Sequence, residues 1–293
     1  MQAAIEFPLM SAEKLKLYRT GSGPIVESGG HFYPLPDSSW DKLVTSDSLA
    51  ADLLAIAKRV GPSQNALKES DILAPIGSQE VWAAGVTYFR SRDARMEESK
   101  SAGGGDFYDR VYSAERPELF FKATPSRTVG HLGSVAIRRD AKWSVPEPEL
   151  VLLVSPSSKV LGYTVGNDMS SRDIEGENPL YLPQAKVYHR GCALGPCILV
   201  GSEPLAGSTE IRLAILRGGE VCFQGSVQLS AMKRDPRNLV EYLYRDNIFP
   251  NGCLLFTGTG IVPPDSFTLN EGDEIRISID GIGTLVNVVS LNR

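Results

Sequence analysis

No apolar run in this sequence approaches the roughly 20 residues that a membrane-crossing helix requires; stretches such as Leu150–Val154 are the longest. The first residues, MQAAIEFPLMSAEK, lack a basic segment leading into an apolar one, so no secretory leader is expected. Positive charge is not in excess, since 30 Lys and Arg stand against 35 Asp and Glu for a formal net charge of −5. With no basic stripe either, nucleic acid and membrane surfaces drop out as partners. Cysteine is scarce: Cys192, Cys197, Cys222 and Cys253 are scattered and form no CxxC. That excludes a disulfide scaffold and a thiolate zinc site, and it reads as buried free thiols in a reducing compartment. A soluble, cytoplasmic protein is the expectation. His31, His131 and His189 are the only histidines, and none has triad or metal-ligand spacing.

Across 293 residues the chain is 42% hydrophobic and 22% charged, enough for a sizeable core in one large domain or a small one plus a larger one. Residues 1–77 read as a small α+β unit. It holds short strands at Leu15–Tyr18 and His31–Leu35 and a helix over Ser48–Val60, whose Leu49, Leu53, Ile56 and Val60 form one stripe before Gly61-Pro62. From 78 to 293 the pattern becomes many short strands separated by Gly and Pro. Hairpin turns fall at Gly218-Gly219 and Asp280-Gly281, and one helix is opened by Asp235-Pro236. The expected fold is α+β and mainly β, with a sandwich-like roll as the larger unit. The charged stretch from Arg90, broken by glycines 103–105, reads either as a solvated surface helix pair or as a lid hinged on those glycines.

The chemistry concentrates in carboxylates. Glu147 and Glu149 flank Pro148 just before the apolar run LVLLV, and residues i and i+2 of an extended chain share a face. If 149–154 pairs with 159–168 through a turn near Ser157, Asp168 falls opposite Glu147 within about one residue. Three acids converging from one ribbon repel unless a cation lies between them. Their hard oxygens suit Mg²⁺, with Mn²⁺ or Ca²⁺ as alternatives. The plainer reading leaves Asp168 as a turn cap. Lys186 is either a surface lysine or a cation beside the metal. Glu118 and Lys122, at i and i+4 on a strand, make either an ordinary ion pair or site groups. The FTGTG segment around Thr259 reads as a plain turn or as a backbone receptor for a carboxylate.

At these residues the sequence resembles the fumarylacetoacetate hydrolase superfamily. The likeness is carried by GVTY (85–88), FFKATPSR (120–127), EPEL (147–150), GYTVGNDMSSRD (162–173), the Lys186 segment and FTGTG (256–260). It implies a mixed β-roll, a divalent ion on Glu147, Glu149 and Asp168, a 2-keto acid substrate and a homo-oligomer, dimer or tetramer. The stretches ERPELFFKATPSRTVGH and DIEGENPLYLPQAKVY are similar to the branch that dehydrates 2-keto-3-deoxy-pentonates to 2,5-dioxopentanoate. Members that cleave C–C bonds carry GxNYxxHxxE, whose His and Glu act on water. Here Ser91 and Ala94 fall at those places, and serine alone is no general base near neutral pH. The resemblance therefore favours a dehydratase, with Glu118 and Lys186 as acid and base in an unassigned order. Lys122, Thr259, Tyr88 and Arg90 would contact substrate. An acylpyruvate-type hydrolase with a substitute base such as His131 is the alternative, and a non-catalytic binding module is the third reading.

Overall fold

Alternation of apolar and polar residues survives where a strand has one wet face and vanishes where both faces are covered. This chain has strands of both kinds. The computed structural model describes residues 14–63, 66–89 and 110–292. Its first elements are β1 (Leu15–Thr20), β2 (Gly23–Ser28), β3 (His31–Pro34), α1 (Trp40–Val44), α2 (Leu49–Val60) and β4 (Ile72–Leu73). Then come β5 (Glu80–Gly85), β6 (Glu118–Ala123), β7 (Thr128–Val129), β8 (Ser134–Ile137), β9 (Ser144–Val145), β10 (Pro148–Val154) and β11 (Val160–Asp168). They are followed by β12 (Ser170–Ser171), α3 (Arg172–Glu177), α4 (Leu182–Lys186), β13 (Cys192–Val200), β14 (Glu210–Arg217) and β15 (Glu220–Gln228). The last are α5 (Pro236–Tyr244), β16 (Cys253–Phe256), β17 (Glu274–Ile279) and β18 (Gly283–Leu291).

Among the described residues the strands form an eleven-stranded sheet, a five-stranded sheet and the short β9–β12 ribbon. The large sheet runs β3-β2-β1-β13-β11-β10-β16-β5-β6, with β4 on β1 and β7 on β13; the smaller runs β15-β14-β17-β18-β8. Most pairs are antiparallel, but β16 with β5, β13 with β7 and β18 with β8 are parallel. The fold is thus mainly β and mixed, as the pattern of short strands implied. One face of the large sheet packs Leu150, Leu152 and Val165 in one core with Leu213, Ile275 and Ile277 of the smaller sheet. Its other face packs Val151, Leu153 and Leu254 under Leu43, Leu49 and Leu53 of α1 and α2. Every residue of β10 is therefore buried, which explains why LVLLV shows no alternation. Full burial of one such leucine contributes roughly 1.5–3 kcal/mol.

The expected helix over 48–60 is α2, and the helix opened by Asp235 is α5, whose cap accepts the Arg237 N–H. At the β14–β15 turn Gly218 and Gly219 have φ of 62° and 89°, the left-handed backbone that a tight hairpin needs. β1 pairs with β13, so strands from either side of residue 77 lie in one sheet. Three expectations are corrected in detail. β2, β13 and β16 are additional strands, and α3 and α4 join the one helix expected among the later strands. All four cysteines are free, but Cys222 is exposed, because β15 is the outer strand of the smaller sheet. Arg90 and the charged stretch after it, up to residue 109, lie outside the described residues.

Candidate metal centre

The β10–β11 pairing sets Pro148 opposite Asn167 and Glu149 opposite Gly166. One step further, the Asp168 N–H donates to the Glu147 carbonyl at 3.0 Å, which fixes those two residues side by side. The register expected from the sequence is the one observed. As a result one oxygen from each of Glu147, Glu149 and Asp168 lies within 4.8 Å of the others, and all three side chains are buried.

Cations surround this cluster. Lys186, the last residue of α4, is itself buried, so the surface-lysine reading fails. Its Nζ donates to Glu147 Oε2 at 2.5 Å, Ser170 Oγ at 2.6 Å and Asp168 Oδ2 at 3.3 Å, and lies 4.0 Å from Glu175 Oε1. Arg172, which opens α3, donates to Glu147 Oε1 at 2.6 Å. Lys122 on β6 pairs with Asp168 Oδ1 and donates to the carbonyls of Met169 at 3.0 Å and Lys186 at 2.5 Å. Among the described residues, four buried carboxylates, Glu147, Glu149, Asp168 and Glu175, thus lie with three buried cations. Burial first, then the charges of Asp168 and Glu147, push the Glu149 carboxyl well above its ordinary range. Lys186 and the Gly258 N–H, which donates to Glu149 Oε2 at 2.6 Å, act the other way.

A narrow cavity of about 10 Å³ opens at these acids, walled by Ala84, Gly85, Val86, Phe120, Gly258 and Thr259 together with Arg172 and Lys186. Gly258 has a φ of 92°, and a Cβ there would meet Thr87 Oγ1 at 2.0 Å, so only glycine can present its N–H to Glu149 in this way. Glu118, at the start of β6, lies across Gly85, where an added Cβ would meet its Oε2 at 2.1 Å. The structure therefore brings Lys186, Thr259 and the three metal-ligand candidates to one cavity, while Glu118 packs against Gly85 of its wall without lining it. Thr259 spends its hydroxyl inside its own loop, donating to the Ile261 carbonyl and accepting the Ile261 N–H, both at 3.2 Å. Lys122 lies behind Asp168 and does not line the cavity, and its partner is Asp168 rather than Glu118. The Tyr88 ring packs on Gly260, and burial followed by the Glu149 charge pushes its phenol pKa up.

The donor set fits a hard divalent cation: three buried carboxylate oxygens within 4.8 Å of one another. His131 does not supply a substitute base. Its Nδ1 accepts the Val286 N–H at 3.1 Å and its Nε2 lies 2.9 Å from Glu69, away from the cavity wall. Sequence reasoning gave no role to Arg172 or Glu175, whereas the FTGTG segment does offer a backbone N–H, that of Gly258, to a carboxylate, here the chain's own Glu149. Arg172 had a signal, since it sits in the SSRD stretch four residues past Asp168. Glu175 had none beyond being one more acid in a polar segment.

Residues 81–290 match the family model for the fumarylacetoacetate (FAA) hydrolase C-terminal region. The chain is 46% identical over 245 residues to a probable 2-keto-3-deoxyxylonate dehydratase of Haloferax volcanii, covering 83% of this chain and 82% of that protein. It is 45% identical over 224 residues to the 2-dehydro-3-deoxy-D-arabinonate dehydratase of Saccharolobus solfataricus, covering 76% and 75%. Among solved structures, a 2-keto-3-deoxy-D-arabinonate dehydratase complexed with magnesium and 2,5-dioxopentanoate superposes with a TM-score of 0.80 at 36% identity, over 96% of this chain and 99% of that one.

Proposed function

The chain belongs to the fumarylacetoacetate hydrolase family, and on that basis we propose that it is a Mg²⁺-dependent hydro-lyase converting a 2-keto-3-deoxy-D-pentonate, derived from arabinonate or xylonate, to 2,5-dioxopentanoate. The observation that carries the reading is the buried Glu147–Glu149–Asp168 cluster, in a chain alignable almost end to end with a dehydratase holding magnesium and that product.

Glu147, Glu149 and Asp168 would hold the ion, which when bound supplies Lewis-acid polarisation to the carboxylate and 2-keto oxygens of the substrate and so acidifies its C3 protons. Lys186 is a hydrogen-bond donor to Glu147, Asp168 and Ser170, so we assign it the acid, one of these bonds giving way to the substrate. Glu118, packed against the wall residue Gly85, is then the base. It takes a C3 proton; Lys186 protonates the C4 hydroxyl as the C4–O bond breaks, and water leaves. A C5 proton then moves to C3, and the resulting C4=C5 enol tautomerises to the terminal aldehyde. Arg172 and Lys122 hold Glu147 and Asp168 in place, Thr259 shapes the wall, and Tyr88 bounds the substrate side, with Arg90 as a further substrate contact. Because Ser91 and Ala94 replace the water-activating pair, dehydration is favoured over C–C hydrolysis.

The site residues all lie within 78–293, which we take as the catalytic unit, with 1–77 as an appended α+β unit. Free cysteines fit a cytoplasmic setting, and exposed Leu180 and Ile248, each 83% accessible, fit burial between subunits of a dimer or tetramer. Among the described residues no helix is long and apolar enough to cross a membrane. The test is an assay on 2-keto-3-deoxy-D-pentonate with an aldehyde dehydrogenase reporting product. Aldehyde that appears with Mg²⁺ and disappears with EDTA is the expected result. No aldehyde, but cleavage of an acylpyruvate in the same buffer, would replace the proposal with the hydrolase reading.

A further inference from the structure

The chain between β15 and α5 forms a strap whose course is set locally. Leu229–Ala231 make a 3-10 turn, and Asp235 caps α5 by accepting the Arg237 N–H at 2.8 Å. Between these two fixed points lie Met232, Lys233 and Arg234. The Arg234 guanidinium donates to the carbonyls of Val111 at 2.7 Å, Ala114 at 2.8 Å, Glu115 at 3.1 Å and Arg116 at 3.5 Å. These carbonyls belong to the segment that leads directly into β6, whose first residue is Glu118. Lys233 adds a bond to the Tyr112 carbonyl at 2.7 Å. The same strap grips the chain leaving β5: the Lys233 N–H donates to the Thr87 carbonyl at 3.0 Å, and Met232 bridges Tyr88. Since Gly85 pairs with Glu118 across β5 and β6, one short segment ties down both strand ends that hold Glu118 against Gly85 of the cavity wall.

We propose that Arg234 is a positioning residue for the reaction, fixing residues 111–117 so that the Glu118 carboxylate stays over Gly85. The inference rests on the reading of Glu118 as a proton-handling group. Arginine suits the task because its planar fork offers five N–H donors in fixed directions, so one side chain can gather several carbonyls from a segment outside the strands. A lysine reaches fewer of them. Displacing a reacting group by about an ångström is enough to lose much of the advantage of orientation, on the order of 100-fold in rate.

The experiment uses the full chain loaded with Mg²⁺ and compares Arg234→Ala, Arg234→Lys, Glu118→Gln and the Ala/Gln double variant. Arg234→Ala is expected to lower kcat about tenfold or more, with Mg²⁺ affinity unchanged and faster deuterium exchange in a peptide spanning 111–121. Arg234→Lys should restore part of the kcat and part of the protection, which also guards against a variant that merely misfolds. In the Glu118→Gln background the alanine substitution should cost nothing further, since the group it positions is gone. An unchanged kcat or unchanged exchange in Arg234→Ala overturns the proposal, as does an equal loss in both backgrounds. If Glu118→Gln alone keeps wild-type turnover, the reading of Glu118 falls, and the exchange data alone then decide whether Arg234 anchors the segment.

Discussion

The β10–β11 ribbon carries an acid–lysine–serine cluster at each end, and the two differ in almost everything except residue type. At the turn, Asp47 accepts from Ser155 Oγ at 2.6 Å and Ser157 Oγ at 2.7 Å and pairs with Lys159 at 2.8 Å. Asp47, Ser157 and Lys159 are all exposed to water there. At the other end Lys186 joins Glu147, Asp168 and Ser170 out of contact with water. Lys159 and then the two serines hold the Asp47 carboxyl well below the usual carboxylate range. Glu149, in contrast, is driven up by burial and by its acidic neighbours. A donor-rich, hydrated cluster satisfies its acid; burial among other carboxylates disfavours the charge on Glu149. Only the second has reason to take up a cation.

Substitutions at the two ends probe that contrast. The greatest loss is expected from Glu149→Gln, which should lower turnover by at least about 100-fold, the scale of losing a preorganised electrostatic contact. Asp47→Asn should leave steady-state rates at the wild-type level; equal losses at both ends would erase the distinction. Next comes stability. Lys186→Met leaves Glu147 and Asp168 buried without their shared ammonium and should cost about 3–5 kcal/mol in urea unfolding of the metal-free chain. Lys159→Met should barely move the midpoint.

The subtlest effect is a difference in the sign of the pH response. A carboxyl whose folded pKa is raised makes the folded state hold its proton longer, so stability falls as pH climbs from the ordinary value of 4.5 through the folded one. Metal-free Glu149→Gln should therefore lose stability less steeply above that ordinary value. Asp47, with its carboxyl lowered, contributes stability above its ordinary pKa and loses it as pH falls below. Asp47→Asn should accordingly flatten only the acid side of the curve. Thermal unfolding across pH in EDTA measures both slopes.

What was legible in the sequence follows the same physics. The Glu147–Asp168 register could be read because a short turn joins two strands, and a side-chain period of two leaves little freedom once the turn is placed. The cap of α5 and the glycine hairpin were equally local. β13 and β16 were not read as strands, because covered faces erase the alternation that marks one. The residues alone left Lys186 open between a surface lysine and a cation beside the metal, because it sits in a short, polar stretch and only tertiary packing turns its ammonium inward. The FTGTG backbone was legible as a possible carboxylate receptor, but not that the carboxylate is Glu149 of the chain itself, because that contact depends on how distant strands pack.

The buried acids, on this reading, form a site for one divalent ion, while the exposed cluster on the same ribbon does not. Isothermal titration of Mg²⁺ into the metal-free wild type, Glu149→Gln and Asp47→Asn tests it directly. One ion per chain, with proton release, should bind to the wild type and Asp47→Asn and be lost in Glu149→Gln. Undiminished binding in Glu149→Gln, or no binding to the wild type, would refute it.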